Sequence, residues 1–513
     1  MIGTRFHRSV LLFTMALVSY AYFYQAGGWN QNSRFDLTRA MVEVRQLRID
    51  GYEWNTGDRS CRGPAGACKR ADPTAGDHYY SDKAPGLSFL AIPAYAALFV
   101  PFGSAQPSPR FIAWTSYIAT ILAIAVPSAI GVVALFHLLL TLGLTVGGAT
   151  LISGSYALAT MAFPLSTLFF GHQLAASLLI IGFAILAHAR SRRTTDRAAF
   201  LLGLAAGMAL GYSVVTEYTS ALAVLPMFLY AAFVVRSKAL TAGVVSGGAF
   251  CAALMLAYHS AAFGSAFALP YDFSTQPHRH VNFMGLGRPN FEALLNITFT
   301  PFRGLFFESP WLLLAVPGTV ALVRAARARA EVLVCVATVV LFFWLNASLV
   351  DWEGGWIFGP RYLGPAVPFL AVLAGGILLP APGIRMRIGH AVLAVLAIWS
   401  FAAALTATAV NPQVPVGYRD PYREYLFPRL LEGRVADNTQ AFYEFAPGSD
   451  PTREAWNAGQ FMGLDGAASL LPLLLFIGLL TAWMAQTTKR GANSATLDAV
   501  PAACDASWRS IPE

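Results

Sequence analysis

Charge is scarce in this sequence. Asp, Glu, Lys and Arg supply 12% of its 513 residues, well below the roughly 25% of an ordinary soluble domain. That shortage excludes a water-soluble globule. With 56% hydrophobic residues and a mean hydropathy of +0.54, the apolar surface serves lipid and helix packing, as in a polytopic all-α membrane protein. Cysteine is sparse too, at five residues, and no spacing among them forms a metal motif. Cys251 and Cys335 lie within apolar spans and read as packing residues, and Cys504 lies in the tail. Cys61 and Cys68 flank RGPAGA. In an oxidising compartment they would form a local disulfide; two free thiols are equally compatible with the sequence. Zinc fingers, RNA-binding signatures and Walker loops are also missing. The net charge of +8 therefore points to Lys and Arg gathered in cytoplasmic loops, not to a nucleic-acid partner.

What is present is a series of apolar spans, at roughly 9–26, 111–141, 147–166, 168–188, 198–216, 218–235, 239–258, 309–326, 330–349, 363–380, 389–410 and 467–485, each about long enough to cross a bilayer. The first has a basic start, and AYFYQAGGWN makes a poor cleavage site, so Met1–Ala26 reads as a retained signal anchor. The basic clusters are Arg5/Arg8, Arg190/Arg192/Arg193, Arg236/Lys238, Arg324/Arg327/Arg329, Arg385/Arg387 and Lys489/Arg490. They fall on one side only if each span crosses once and a further apolar piece, 86–102, does not. That piece is short and carries Pro93 and Pro101, so it reads as a re-entrant or interfacial helix. A merged hairpin between 147 and 188 would also satisfy the parity. The expectation is about twelve transmembrane helices with both termini cytoplasmic. The polar segments 27–85, 259–308 and 411–466 then face outward, and 486–513 is a disordered tail. No internal repeat stands out.

Ionisable residues near membrane depth are costly and point to function. Here nearly all of them map to the outward side. Asp36 lies in RFDLTRAMVEVRQL, where Asp36, Arg39 and Glu43 share a helical face; it could deprotonate an acceptor hydroxyl or merely pair with Arg39. Lys83 in HYYSDKAPG precedes a helix start suited to a phosphate, or it snorkels to the interface. Tyr79 and Tyr80 beside it would serve as belt aromatics or a sugar platform. In WEGGWIFGPRYLGP, Arg361 and Tyr362 open a span after a tight turn. Arg361 stands outside against the positive-inside trend and needs an anionic partner, either a lipid phosphate or Asp351 or Glu353. His172, Glu217 and Tyr218 sit at outer ends of spans, and Arg303 could meet a phosphate or pair with Glu308. Asp420 and Glu424 read as solvated.

The ordered set of signal anchor, outward acidic loop, YYSDKAPG, GHQLAASLL, TEY, PFRGLFFESP, GGWIFGPRYLGPAVP and NAGQFMGLDGAASLLPLL resembles the bacterial GT-C class membrane glycosyltransferases, distant relatives of protein O-mannosyltransferases and the lipid A aminoarabinose transferase. The resemblance spans residues 1 to about 485. It implies a GT-C-like bundle in the bacterial cytoplasmic membrane, taking a sugar from a polyprenyl-phosphate donor to an envelope glycan, glycolipid or protein on the outer face, usually with inversion. Lys83 matches the family's donor-phosphate lysine. The family's acid pair would fall near Asn30 and Gln31, amides that cannot act as bases, and its second acid near His172. Asp36 is then the candidate base, with Asp58 and His172 behind it, and Lys83, Arg361, Tyr80, Arg303, Glu217 and Tyr362 are the candidate substrate contacts. No dense ligand set demands a metal, and no cofactor is expected. A flippase of a lipid-linked glycan is the alternative, but it would spread charge along a path through the membrane. A structural subunit of an envelope-assembly complex is a third reading if the base is absent.

Overall fold

In a bilayer the backbone has no water to bond, so apolar stretches close their hydrogen bonds internally as helix. The computed structural model describes residues 2–64, 66–68, 76–192, 194–325, 328–380, 384–438, 440–442 and 454–497. Among the described residues, helix occupies most of each of the twelve apolar stretches. Nine helical segments among the described residues are long and apolar enough to cross a membrane, and the chain is a helical membrane protein with very little sheet. Ser108, Thr145, Thr195 and Ser237 each open a helix by accepting the backbone N–H three residues on. The last helix runs Leu471–Leu497, into the stretch read as a disordered tail; its Ala-containing sequence supports helix. The readings of Arg193, Arg327, Cys504 and the end of the tail lie outside the described residues, as do the side chains of Arg385, Lys489 and Arg490.

Two of the long helices, Asp196–Thr216 and Lys238–Phe263, meet through glycine. A Cβ on Gly203 would stand 2.0 Å from the Leu240 carbonyl oxygen, and one on Gly207 would stand 2.3 Å from that of Val244. Gly243 and Gly247 face back with equally little room. Between helices in lipid there is no hydrophobic drive, so close backbone approach of this kind supplies the packing.

The polar segments gather at one end of the bundle. Helix α1 (Ile2–Ala21) leads into β1 (Phe23–Tyr24) and then α2 (Trp29–Glu43). A small antiparallel sheet follows, with β2 (Arg59–Gly63) flanked by β3 (Gly66–Ala67) and β4 (His78–Ser81). A disulfide between Cys61 and Cys68 spans β2 and the residue after β3. Next comes α3 (Gly86–Phe102). Strand β1 pairs with β5 (Trp456–Asn457), and the Gly27 N–H donates to the Gln440 carbonyl at 3.3 Å. Thr275 N–H donates to Arg59 at 2.9 Å, Val350 N–H to Gly285 at 2.9 Å, and Phe358 N–H to Pro412 at 2.7 Å. The three polar segments and the turn at 350–358 are thus bound to one another through backbone groups.

Candidate functional site

Helix α2 is polar yet buried, because its side chains bond to backbone around it. Asn32 donates to the Asn55 and Ala441 carbonyls, both at 2.8 Å. Gln31 accepts the Phe169 N–H at 2.8 Å. Ser33 meets Ser81 at 2.8 Å. Arg34 pairs with Glu217 at 2.5 Å and also donates to the carbonyls of Ala84 and Thr216. Buried guanidinium and carboxylate groups bonded this fully lock the helix against the span ends.

That lock sets the next group. Lys83 follows β4, and its ammonium lies 3.0 Å from Asp58 and 2.9 Å from Asp82. Both Lys83 and Asp82 are buried. Burial pushes the Lys83 ammonium down, but the two carboxylates more than offset it and hold it above its ordinary value. Burial pushes Asp58 up, and Lys83 overcomes that, helped by Arg361 and Arg279, so its carboxyl sits below the usual range. Lysine and aspartate are therefore both ionised at neutral pH.

Asp58 and Arg361 line a cavity of about 430 Å³. His278 and Asp351 stand on its wall 3.8 Å apart. Tyr362 donates to Asp351 at 3.1 Å and accepts from Arg361 at 3.3 Å, while the buried Nε of Arg361 has no partner among the described residues. The wall depends on the glycine turn after Asp351, where Gly354, Gly355 and Gly359 adopt φ of +71°, +68° and +71°, conformations open to glycine at no steric cost. A buried cation with spare donors, a second cation behind a carboxylate, and a neighbouring histidine can hold an anionic group and accept a proton beside it.

The candidate residues divide. Asp58, Lys83, Arg361 and Tyr362 belong to this cluster. His172 and Glu217 stand behind it: His172 lies 3.3 Å from Glu217, with its ring 5.5 Å from that of Tyr362. Tyr218 bonds His259 at 2.8 Å. Asp36 is fully buried away from the cavity lining and accepts from Asn55 at 3.3 Å. Its expected partner Arg39 instead pairs with Glu43 at 2.8 Å. Tyr80 packs on Phe263 at 5.3 Å. Arg303 forms no ion pair with Glu308; its guanidinium holds the carbonyls of Glu353, Gly355 and Val414 and so braces the glycine turn. Sequence reasoning missed Arg34, Asp82 and His278. The one signal for His278 was the run PHRH in a polar segment. Among the described residues the only cluster with metal-like spacing is Cys61, Cys68 and Asp77, and the disulfide occupies both sulfurs.

No family model matches the chain, and no curated protein matches it. Among solved structures it is similar to the archaeal oligosaccharyltransferase AglB from Archaeoglobus fulgidus in complex with an inhibitory peptide and a dolichol-phosphate, at a TM-score of 0.48 and 12% identity, over 86% of this chain and 61% of that one. It is also similar to the Archaeoglobus fulgidus oligosaccharyltransferase tethered to an acceptor peptide, at a TM-score of 0.49 and 12% identity, over 78% of this chain and 55% of that one. The chain thus spans 61% or less of the length of these neighbours. Likeness at this level carries no argument about chemistry.

Proposed function

We propose that the chain is a membrane glycosyltransferase that moves a sugar from a polyprenyl-phosphate donor to an envelope acceptor. The observation that carries this reading is the buried Lys83–Asp58 pair, at 3.0 Å, whose Asp58 lies on the wall of a cavity that also presents Arg361, its Nε without a partner among the described residues. The donor phosphate takes Lys83 and Arg361, and these cations stabilise the charge that develops as it leaves. Drawing Lys83 toward phosphate frees Asp58. An acceptor hydroxyl oxygen then bonds the anomeric carbon, the bond from that carbon to the phosphate oxygen breaks, and the electron pair leaves with polyprenyl phosphate. The hydroxyl proton passes to Asp58. In this reading Asp58 takes the role of base ahead of Asp36 and His172, because it is the one of the three on the cavity wall.

The same reading gives the topology. Helix α3 starts just after Lys83, and Gln106, beyond its end, lines a pocket with Arg39, Glu43 and Tyr52. With polar partners from the same segment at both its ends, α3 lies along the membrane and does not cross it. About twelve spans then remain, with cytoplasmic termini and the cavity on the outer face of the cytoplasmic membrane.

The test is mass spectrometry of lipid-linked sugars and envelope glycans in cells lacking the protein, complemented with the wild type or with Lys83→Ala. Accumulation of the monosaccharide donor with loss of one sugar from a defined glycan is expected, and Lys83→Ala should not restore it. Accumulation of an untranslocated lipid-linked glycan instead would replace the transferase with a flippase.

A further inference from the structure

The same cavity also carries a lining without charge. Two tryptophans line it, Trp29 and Trp356, and they remain 57% and 51% exposed. Their exposure is built in. The ring of Trp29 is seated on the backbone of Gly57, where a Cβ would come within 2.6 Å of it, and its carbonyl is held by the Thr56 hydroxyl at 2.7 Å. Trp356 rides on the glycine turn whose carbonyls Arg303 grips at Glu353 and Gly355. Each therefore offers a broad apolar face to water from a fixed backbone.

Beside the charged residues, the polar lining is made of neutral amides. Asn30, Gln276, Gln413 and Gln440 all face the cavity. Gln413 and Gln276 each use Nε2 on a backbone carbonyl, of Gly27 and Gly57, both at 2.6 Å, which fixes the amide planes and leaves their oxygens as acceptors. The Gln440 side chain makes no hydrogen bond to the described residues. An amide carries a donor and an acceptor side by side, matching adjacent hydroxyls. A large exposed aromatic face suits a ligand that is apolar on one side and wet on the other.

We propose that the tryptophans and amides of this cavity bind a neutral saccharide and that the acceptor is therefore a glycan, not a peptide. This rests on the transferase reading for the word acceptor, whereas the binding itself does not. The charged lining residues are Asp58, Arg361, His278 and Asp351, of which Arg361 is the one suited to a phosphate. The tryptophans and amides share the cavity lining with Asp58, the group that takes the acceptor's proton in the transferase reading, whereas Lys83 lies behind that lining.

The experiment is saturation-transfer NMR on the full chain in lipid nanodiscs without any lipid-linked donor. The probes are a delipidated, protein-free oligosaccharide hydrolysate of the native envelope and, separately, a tryptic digest of the same envelope. Transfer to pyranose ring protons is expected, with affinity weakened roughly tenfold in Trp356→Ala and in Trp29→Ala. Trp29→Phe, which keeps an aromatic face on Gly57, should retain most of the binding and guards against misfolding of the alanine variant. Signals from the peptides alone, no saccharide signal, or saccharide signals unchanged in both alanine variants would overturn the proposal. Because no transfer is read, failure of the transferase reading shows separately, as a donor pool unchanged in cells lacking the protein or as an untranslocated lipid-linked glycan.

Discussion

Asp58 and Lys83 meet at 3.0 Å at the same end of one small antiparallel sheet, Asp58 just before β2 and Lys83 just after β4. Neither strand needs the other residue locally; the pairing of β2 with β4 brings them together. Asp58→Asn should lower sugar transfer by about two to three orders of magnitude, in the range of a lost general base. Lys83→Met should lose a similar amount and also destabilise the fold by roughly 3–5 kcal/mol, because Asp58 and Asp82 are left without their cation. The double variant should be little worse than either single one in transfer, which steady-state rates in nanodiscs would check.

The same pair sets a pH dependence. Asp58 is held below its ordinary value, so its stabilising contribution is complete above the unfolded carboxyl value of about 3.9 and is lost only as pH falls through the still lower folded value. Between about pH 5 and pH 8, wild-type activity should show no acid limb from this residue. In Lys83→Met the burial that was being overcome prevails, and the pH–rate profile should acquire an acid limb within that window. A flat profile in the variant would remove Asp58 as the base.

Asp36 is predicted to behave in the opposite way. Burial raises its carboxyl well above the usual range, and Arg39 and Asn55 only partly counter it. The native state therefore keeps a proton that the unfolded chain releases, so stability falls as pH rises above the unfolded value of about 3.9 toward the folded one. Asp36→Asn removes that penalty. It should raise the unfolding temperature more at pH 8 than at pH 5 while leaving transfer within about twofold of wild type, measured by thermal unfolding of the solubilised protein and the donor-consumption assay.

The helices were legible because hydrophobic length is a local property, and among the described residues helix occupies most of each of the twelve apolar stretches. Lys83 was legible for the same reason, as a cation at a helix start. What surrounds it was not. Asp58 and His278 reach one cavity only because Thr275 bonds to Arg59 and Gln276 to Gly57, contacts between segments that no periodicity links. Asp36 drew attention by its spacing from Arg39, but spacing does not say that Arg39 would choose Glu43. Arg34 was overlooked because its partner Glu217 lies on another span end.

The disulfide between Cys61 and Cys68 was one of two open alternatives, and its presence ties β2 to the end of β3. Closing so short a loop restricts the unfolded chain by about 2–3 kcal/mol in the entropic account. Asp58 lies three residues before Cys61, so the bridge steadies the strand that positions it. Reduction, or Cys68→Ser, should lower transfer severalfold and raise hydrogen exchange in residues 58–63, with little change in the exchange of the long helices. Equal loosening of the whole fold would show that the bridge does not act on the site.

The glycine contact between Asp196–Thr216 and Lys238–Phe263 makes a prediction with an internal control. Gly207 faces the Val244 carbonyl, where a Cβ would stand at 2.3 Å, whereas a Cβ on Gly248, one residue beyond the contact glycine Gly247, would meet nothing within 4 Å. Both substitutions to alanine gain the same helix propensity, of about 1 kcal/mol. The difference between them therefore isolates packing. Gly248→Ala should be neutral or stabilising. Gly207→Ala must push the helices apart against backbone atoms that cannot rotate away, and overpacking of this kind costs about 1–3 kcal/mol or more. Thermal unfolding of the two variants in the same detergent decides it. Equal stabilities would mean that the close approach is not what holds these helices together. A loss confined to Gly207→Ala, with transfer retained at low temperature, would show that this pair supports the bundle without shaping the site.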